Sequence, residues 1–145
     1  VGSEMCIRDR LETELADFWR RGRIRTRDRT HAIDPRLDPS CYPLLTVLYR
    51  NDSLGMSELV TRLALDKSTV TRQIDALVRV DLVERHPDPA DARARRVALT
   101  ADGRRRVDAV VAAAVADWRT RLSQWDPEDI RTLTTLLRRL SDASD

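Results

Sequence analysis

Lys67, Ser68, Thr69, Thr71, Arg72 and Gln73 put six cationic or hydrogen-bonding side chains into one short stretch directly after Asp66. Ammonium and guanidinium groups donate to phosphate oxygens, and amide, hydroxyl and guanidinium groups match the donors and acceptors of base edges. A helix carrying this row near its N-terminus therefore has the chemistry of major-groove readout. A plain solvated helix face has the same composition, so the row gains meaning only from its neighbours. Further on, Pro87-Asp88-Pro89-Ala90-Asp91-Ala92-Arg93-Ala94 is turn material and is followed by Arg95. Arginine at a hairpin tip can lie over the sugar-phosphate backbone or enter the narrow minor groove, whose negative potential favours guanidinium. Catalytic chemistry is sparse. His31 and His86 are isolated, no metal-ligand spacing joins them to Cys41, and the four glycines make neither a phosphate loop nor a nucleophile elbow. No catalytic residue, metal or cofactor is expected.

Several elements must position these residues. Asp66 is a good N-cap, and Val70, Ile74, Leu77 and Val78 mark the apolar face of a helix whose other face carries the polar row. Met56 to Leu63 supplies a shorter helix with Leu59, Val60 and Leu63 at helical spacing, and Ala64-Leu65 joins the two tightly, as in a helix-turn-helix. Leu82 to His86 and Arg95 to Leu99 alternate apolar and polar residues on either side of the turn, which predicts a two-stranded wing.

The flanks read as helices. Leu11, Leu15, Phe18, Trp19 and Ile24 form one stripe, and Asp38-Pro39-Ser40 is expected to open a second helix containing Leu44, Leu45, Val47 and Leu48, although Pro43 fits only near a first turn. After Gly103, a long stripe runs from Val107 to Trp118 and Leu122. Asp126-Pro127-Glu128-Asp129 then caps a last helix with Ile130, Leu133, Leu137 and Leu140 at heptad-like spacing. A small winged domain cannot cover all these faces, so the pattern predicts a homodimer. Its two recognition helices would meet double-stranded DNA about one helical turn apart, on a pseudo-palindromic operator. The arginine row Arg20, Arg21, Arg23, Arg25, Arg27 and Arg29 winds around more than one face and reads as solvated surface.

The run Asp66 to Gln73, with Leu77, Leu82-Val83-Glu84-Arg85, Asp88-Pro89-Ala90-Asp91-Ala92-Arg93 and Leu99-Thr100-Ala101-Asp102-Gly103, resembles the winged-helix core of the multiple-antibiotic-resistance regulator (MarR) family. The ordered elements span residues 39 to 143. Asp81 stands where the family usually has glycine, a modest cost because aspartate tolerates a left-handed backbone. The resemblance implies a mainly α fold with a small β-wing, a winged helix-turn-helix flanked by N- and C-terminal dimerisation helices, and a ligand-responsive repressor. It further implies a small aromatic or anionic effector between the dimer helices and the winged domain, for which Trp19, His31, Tyr42 and Arg50 are candidate lining residues. Some relatives sense oxidants through a cysteine. Here Cys41 begins the second helix, so a thiol-based redox-sensing regulator stands as an alternative beside a buried core cysteine.

The expected organisation is a leader over 1–10, an N-terminal dimerisation helix and connection over 11–37, a DNA-binding domain over 38–103 and C-terminal dimerisation helices over 104–145. Glu4 to Arg10 back-translates into a transposase mosaic-end sequencing adapter, so the first ten residues are expected to be read-through and Cys6 carries no functional argument. The formal charge of +2, from 26 basic and 24 acidic residues, does not announce a nucleic-acid binder. Between residues 56 and 106, however, eleven Arg/Lys stand against eight Asp/Glu. Lys67 is the only lysine; guanidinium suits phosphate, but GC-rich coding produces the same bias. No apolar run reaches the roughly twenty residues of a membrane span, and no secretory core appears, which predicts a cytoplasmic protein. The expected base-edge or nearby phosphate contacts are Thr69, Thr71, Arg72 and Gln73, with Lys67 and Ser68 positioning the helix on the backbone and Arg93 and Arg95 in the wing. A winged-helix module that docks onto protein without specific DNA binding is the competing reading.

Overall fold

The computed structural model describes residues 2–142. Helix α1 (Gly2–Ile33) runs without a break from the segment expected as a leader through the apolar stripe that follows it. The second helix does not open at Asp38. Asp38 instead caps a 3-10 turn over Pro39–Cys41, accepting from the Ser40 amide at 2.8 Å, and α2 (Tyr42–Tyr49) follows. The reason is Pro43: without an N–H it cannot donate to the Pro39 carbonyl, so an α-ladder cannot begin there. Leu44, Leu45 and Leu48 of α2 are completely buried.

Strand β1 (Leu54–Gly55) leads into α3 (Met56–Leu63), whose Glu58 accepts from the Gly55 amide at 3.2 Å. Ala64 turns the chain with φ of 53°, a left-handed backbone at a non-glycine residue, and α4 (Lys67–Arg79) begins after Asp66. Asp81 carries the second left-handed backbone, φ 60°, as the family resemblance implied for that position. Strands β2 (Val83–Pro87) and β3 (Arg95–Leu99) then form the wing. The expected two-stranded wing is in fact a three-stranded antiparallel sheet in the order β1-β3-β2, with Leu54 opposite Val97 and Val83 opposite Leu99. A two-residue strand is too short to show alternation, so only its pairing reveals it.

The Leu99-Thr100-Ala101-Asp102-Gly103 segment joins the sheet to α5 (Ala101–Leu122) by specific hydrogen bonds. The Thr100 hydroxyl donates to the Asp81 carbonyl at 2.7 Å and accepts from the Gly103 amide at 2.9 Å, while the Thr100 amide donates to the Leu82 carbonyl at 3.0 Å. A Cβ on Gly103 would lie 2.1 Å from the Leu82 oxygen, so only glycine lets α5 start this close to the sheet. Arg106 of α5 reaches back to the end of α1, donating to the Ile33 carbonyl and to Asp34 Oδ2, the latter at 3.2 Å. Asp34 is buried, and Arg36 also grips it through Nη2 at 2.7 Å, Nε at 3.0 Å and its backbone amide at 2.9 Å. These donors, Arg36 first, hold its carboxyl well below the usual carboxylate range despite burial.

The chain divides into two compact units, Val1–Val110 and Val111–Asp145, with α5 running through the boundary. The first holds the core, where Leu44, Leu59, Val70, Ile74, Leu77, Leu82 and Val107 have no exposure. The second comprises the end of α5 and α6 (Pro127–Asp142), which Asp126 caps through the Glu128 amide at 2.9 Å. None of its described residues is buried. Among the described residues, no helix is long and apolar enough to cross a membrane, and no group of three or more His, Cys, Asp or Glu side chains is arranged to hold a metal.

Candidate nucleic-acid interface

The N-terminal turn of α4 is organised around Asp66. Its carboxylate accepts from the Thr69 amide at 3.0 Å, from the Thr69 hydroxyl at 2.7 Å and from the Ser68 hydroxyl. These bonds, the Ser68 hydroxyl first, keep the Asp66 carboxyl well below the ordinary range, so it stays ionised and holds the cap. Ser68 and Thr69 thereby spend their hydroxyl protons inside the protein, and Thr71 spends its own on the Lys67 carbonyl at 2.8 Å. Toward a ligand these three present lone pairs, suited to accepting from a base amino group and not to donating to phosphate. Of the polar row, Lys67 and Arg72 remain as donors. Both are exposed, and Arg72 is aligned along the helix by a 3.3 Å bond from Nη2 to Thr69 Oγ1.

Gln73 corrects the sequence reading. It is only 8% exposed and is turned inward with Val70, Ile74 and Leu77, and its Oε1 finds no hydrogen-bond partner among the described residues. The cause is spacing. Gln73 follows Val70 by three positions and precedes Leu77 by four, so it falls on the inner stripe whatever its polarity. The signal was present in the sequence, but residue type concealed it.

In the wing, Arg93 and Arg95 are exposed, and neither side chain has a partner among the described residues. The turn that carries Arg93 is built by local bonds. Asp88 Oδ1 accepts from the Ala90 amide at 2.8 Å, Asp91 Oδ1 accepts from the Arg93 amide at 3.0 Å, and the Asp88 amide donates to the Ala94 carbonyl at 3.1 Å. Arg85 of β2 pairs with Asp75 of α4, linking the wing to the polar helix. Sequence reasoning passed over Arg96, which lies half-buried near the turn end of β3 and bonds Ser53. Its only sequence signal was the strand alternation that separates it from Arg95.

Elsewhere, Cys41 is 3% exposed, and burial pushes its thiol pKa up, with Asp38 adding to the shift. A thiol held protonated and shielded is a poor oxidant sensor, so the redox alternative is not favoured. An open cleft of about 720 Å³ runs along α1, lined by Phe18, Trp19, Arg20, Arg23, Ile24 and Arg27 among others, with Pro39 and Ser40 at its edge. Of the four residues suggested as effector-pocket lining, Trp19 borders this cleft, whereas His31, Tyr42 and Arg50 do not.

An exposed cationic helix turn beside an arginine-bearing hairpin, on a three-stranded winged body, defines a winged helix-turn-helix DNA-binding regulator. The chain belongs to the MarR family, whose domain model matches residues 37–94. Two HTH-type transcriptional regulators of Bacillus subtilis (strain 168) are similar to it. YxaD is 29% identical over 133 residues, covering 92% of each chain, and YsmB is 30% identical over 104 residues, covering 72% of this chain and 71% of its own. The crystal structure of a MarR transcriptional regulator from Methanosarcina mazei Go1 superposes with a TM-score of 0.74 at 25% identity, covering 93% of this chain and 96% of that one. BpsR of Bordetella bronchiseptica, whose DNA binding is regulated by 6-hydroxynicotinic acid, superposes with a TM-score of 0.62 at 26% identity, covering 88% and 98%.

Proposed function

We propose that the protein acts as a homodimeric repressor that binds a pseudo-palindromic double-stranded operator and catalyses no reaction. The observation that carries this reading is the pairing of two exposed cationic groups on α4, Lys67 and Arg72, with two on the wing, Arg93 and Arg95. Lys67 neutralises phosphate at the groove edge and Arg72 reaches base edges or the adjacent phosphate. Ser68, Thr69 and Thr71 accept from base amino groups, and the wing arginines lie over the flanking backbone or minor groove. Gln73 has no part in this set. The dimer reading draws on the apolar side chains left at the surface, including Phe18, Trp19, Trp118, Leu133 and Leu137, each at least 40% exposed.

The cleft on α1 supports an effector of the aromatic carboxylate class, the chemistry of the ligand named for BpsR. Phe18, Trp19 and Ile24 supply apolar walls, and Arg23, with no partner among the described residues, supplies a cation for a carboxylate. An effector need favour a differently spaced dimer by only about 1 to 3 kcal/mol to change operator occupancy severalfold or more.

Selection of bound duplexes from a random pool tests the reading, and a palindromic winner is expected. The Arg72→Ala variant should lose specific binding to that duplex while its oligomeric state, measured by ultracentrifugation, stays the same. Undiminished operator affinity in Arg72→Ala removes Arg72 from the interface. Absence of any salt-dependent duplex binding by the wild-type chain favours the protein-docking alternative instead.

A further inference from the structure

Two wing arginines have guanidiniums held by the protein: Arg85 pairs with Asp75 of α4, and Arg96 gathers acceptors from several segments at once. Arg96 sits on the central strand, opposite Gly55 of β1 on one side and His86 of β2 on the other. Nε donates to Ser53 Oγ and Nη2 to the Ser53 carbonyl, both at 2.8 Å. Nη1 lies 3.6 Å from Glu58 Oε1 and 3.7 Å from Asp88 Oδ2. One planar group thus meets acceptors from three segments: the residue before β1, the first turn of α3, and the wing turn.

Two of these acceptors have other duties that extend the network. Glu58 Oε1 also takes the Gly55 amide that begins α3. Asp88 also takes the Ala90 amide, and its own amide closes the turn onto Ala94, the residue after Arg93. A displacement of Arg96 therefore reaches the wing turn through Asp88 and the front of the helix-turn-helix through Ser53 and Glu58. A lysine cannot replace this arrangement, because a point ammonium cannot give the paired Nε and Nη2 donors that grip Ser53 in one plane.

We propose that Arg96 is a positioning residue for DNA binding: it locks the wing to the helix-turn-helix so that Arg93 is presented at a fixed distance from α4, without itself touching DNA. The proposal rests on the DNA-binding reading above. The strands are anchored by β1 pairing and by the Arg85–Asp75 pair, but among the described residues Arg96 is the side chain that ties the wing turn at Asp88 to Ser53 and Glu58, so its loss leaves Arg93 contact to bear more of the entropy of ordering that turn.

The test uses the full chain and its selected operator duplex, with Arg93→Ala, Arg96→Gln, the double variant, Arg96→Lys and Asp88→Asn. Arg96→Gln is expected to weaken binding about tenfold, to keep the helical circular-dichroism spectrum, and to lose hydroxyl-radical protection at the operator flanks while the centre stays protected. Added to Arg93→Ala, it should cost little more, because both changes remove the same wing contact. Arg96→Lys should recover less than half of the loss.

Asp88→Asn provides a discriminator that does not depend on how well Arg96→Gln folds. It deletes a negative charge from the wing, so simple electrostatics predicts tighter binding, whereas loss of the lock predicts weaker binding. Additive losses in the double variant, a further fall in the salt slope beyond that of Arg93→Ala, or tighter binding by Asp88→Asn would each overturn the proposal, the second because it marks a phosphate contact by Arg96 itself. If the wild-type chain binds no duplex, the DNA reading fails. If it binds and the losses are additive, only the role of Arg96 fails.

Discussion

Helices α4 and α6 carry the same kind of message and meet different fates. On α4, Val70, Ile74 and Leu77 recur at helical spacing and are fully buried against the winged body. On α6, Leu133, Leu136 and Leu137 recur in the same way, yet they stay 41%, 49% and 49% exposed, and no residue of that helix is buried. An amphipathic pattern specifies that a face wants cover, not where the cover comes from. For α4 it lies within the same chain. For α6 the homodimer proposed above would supply it.

The strongest way to break this comparison is to remove a leucine from each helix. Leu77→Ala should destabilise the chain by about 2 to 5 kcal/mol, since the lost transfer energy and the remaining cavity add, and a denaturant melt reads this directly. A loss below about 1 kcal/mol would mean that α4 is not the core element described here. Gly103→Ala comes next, at about 1 to 3 kcal/mol, because its methyl must displace the Leu82 backbone and not a flexible side-chain end. The same melt checks it, and a neutral result would sink the close docking of α5 on the sheet.

Leu133→Lys has a smaller effect on the chain itself, within about 0.5 kcal/mol when measured on the monomer, as for other exposed positions. Its large effect should appear only as a shift of the monomer–dimer equilibrium in sedimentation, with operator binding weakened in parallel. An unchanged equilibrium would take α6 out of the dimer interface. The smallest effect concerns Asp34. Its folded pKa is depressed, so its ion pairs with Arg36 and Arg106 contribute fully above the ordinary aspartate value of about 3.9 and are lost as pH falls from there toward the lower folded value. Asp34→Asn should therefore flatten the fall in stability below about pH 4 relative to wild type, and matching acid profiles would show that the pair contributes nothing.

Much of the interface was legible before any coordinates. The Asp66 cap, the α3 and α4 boundaries and the wing turn all depend on neighbours a few residues away, and short-range preferences write such features into the chain, whereas the left-handed Asp81 was implied by the family resemblance. Gln73 was legible too, had spacing been weighed above polarity. β1 and the role of Arg96 were not. A two-residue strand has no periodicity, and nothing local links Arg96 to Ser53, 43 positions away.

The chain by itself determined where α3 and α4 start and stop, which faces are apolar and where cations gather, because these follow from backbone geometry and capping over one or two turns. Only the tertiary structure decided which cations remain free for a duplex and which are held by the protein. Arg72, Arg93 and Arg96 are chemically the same, and their difference lies in the acceptors that a long-range fold brings within reach. Arg96 meets Ser53, Glu58 and Asp88 and is spoken for, while the Arg93 guanidinium meets no acceptor among the described residues.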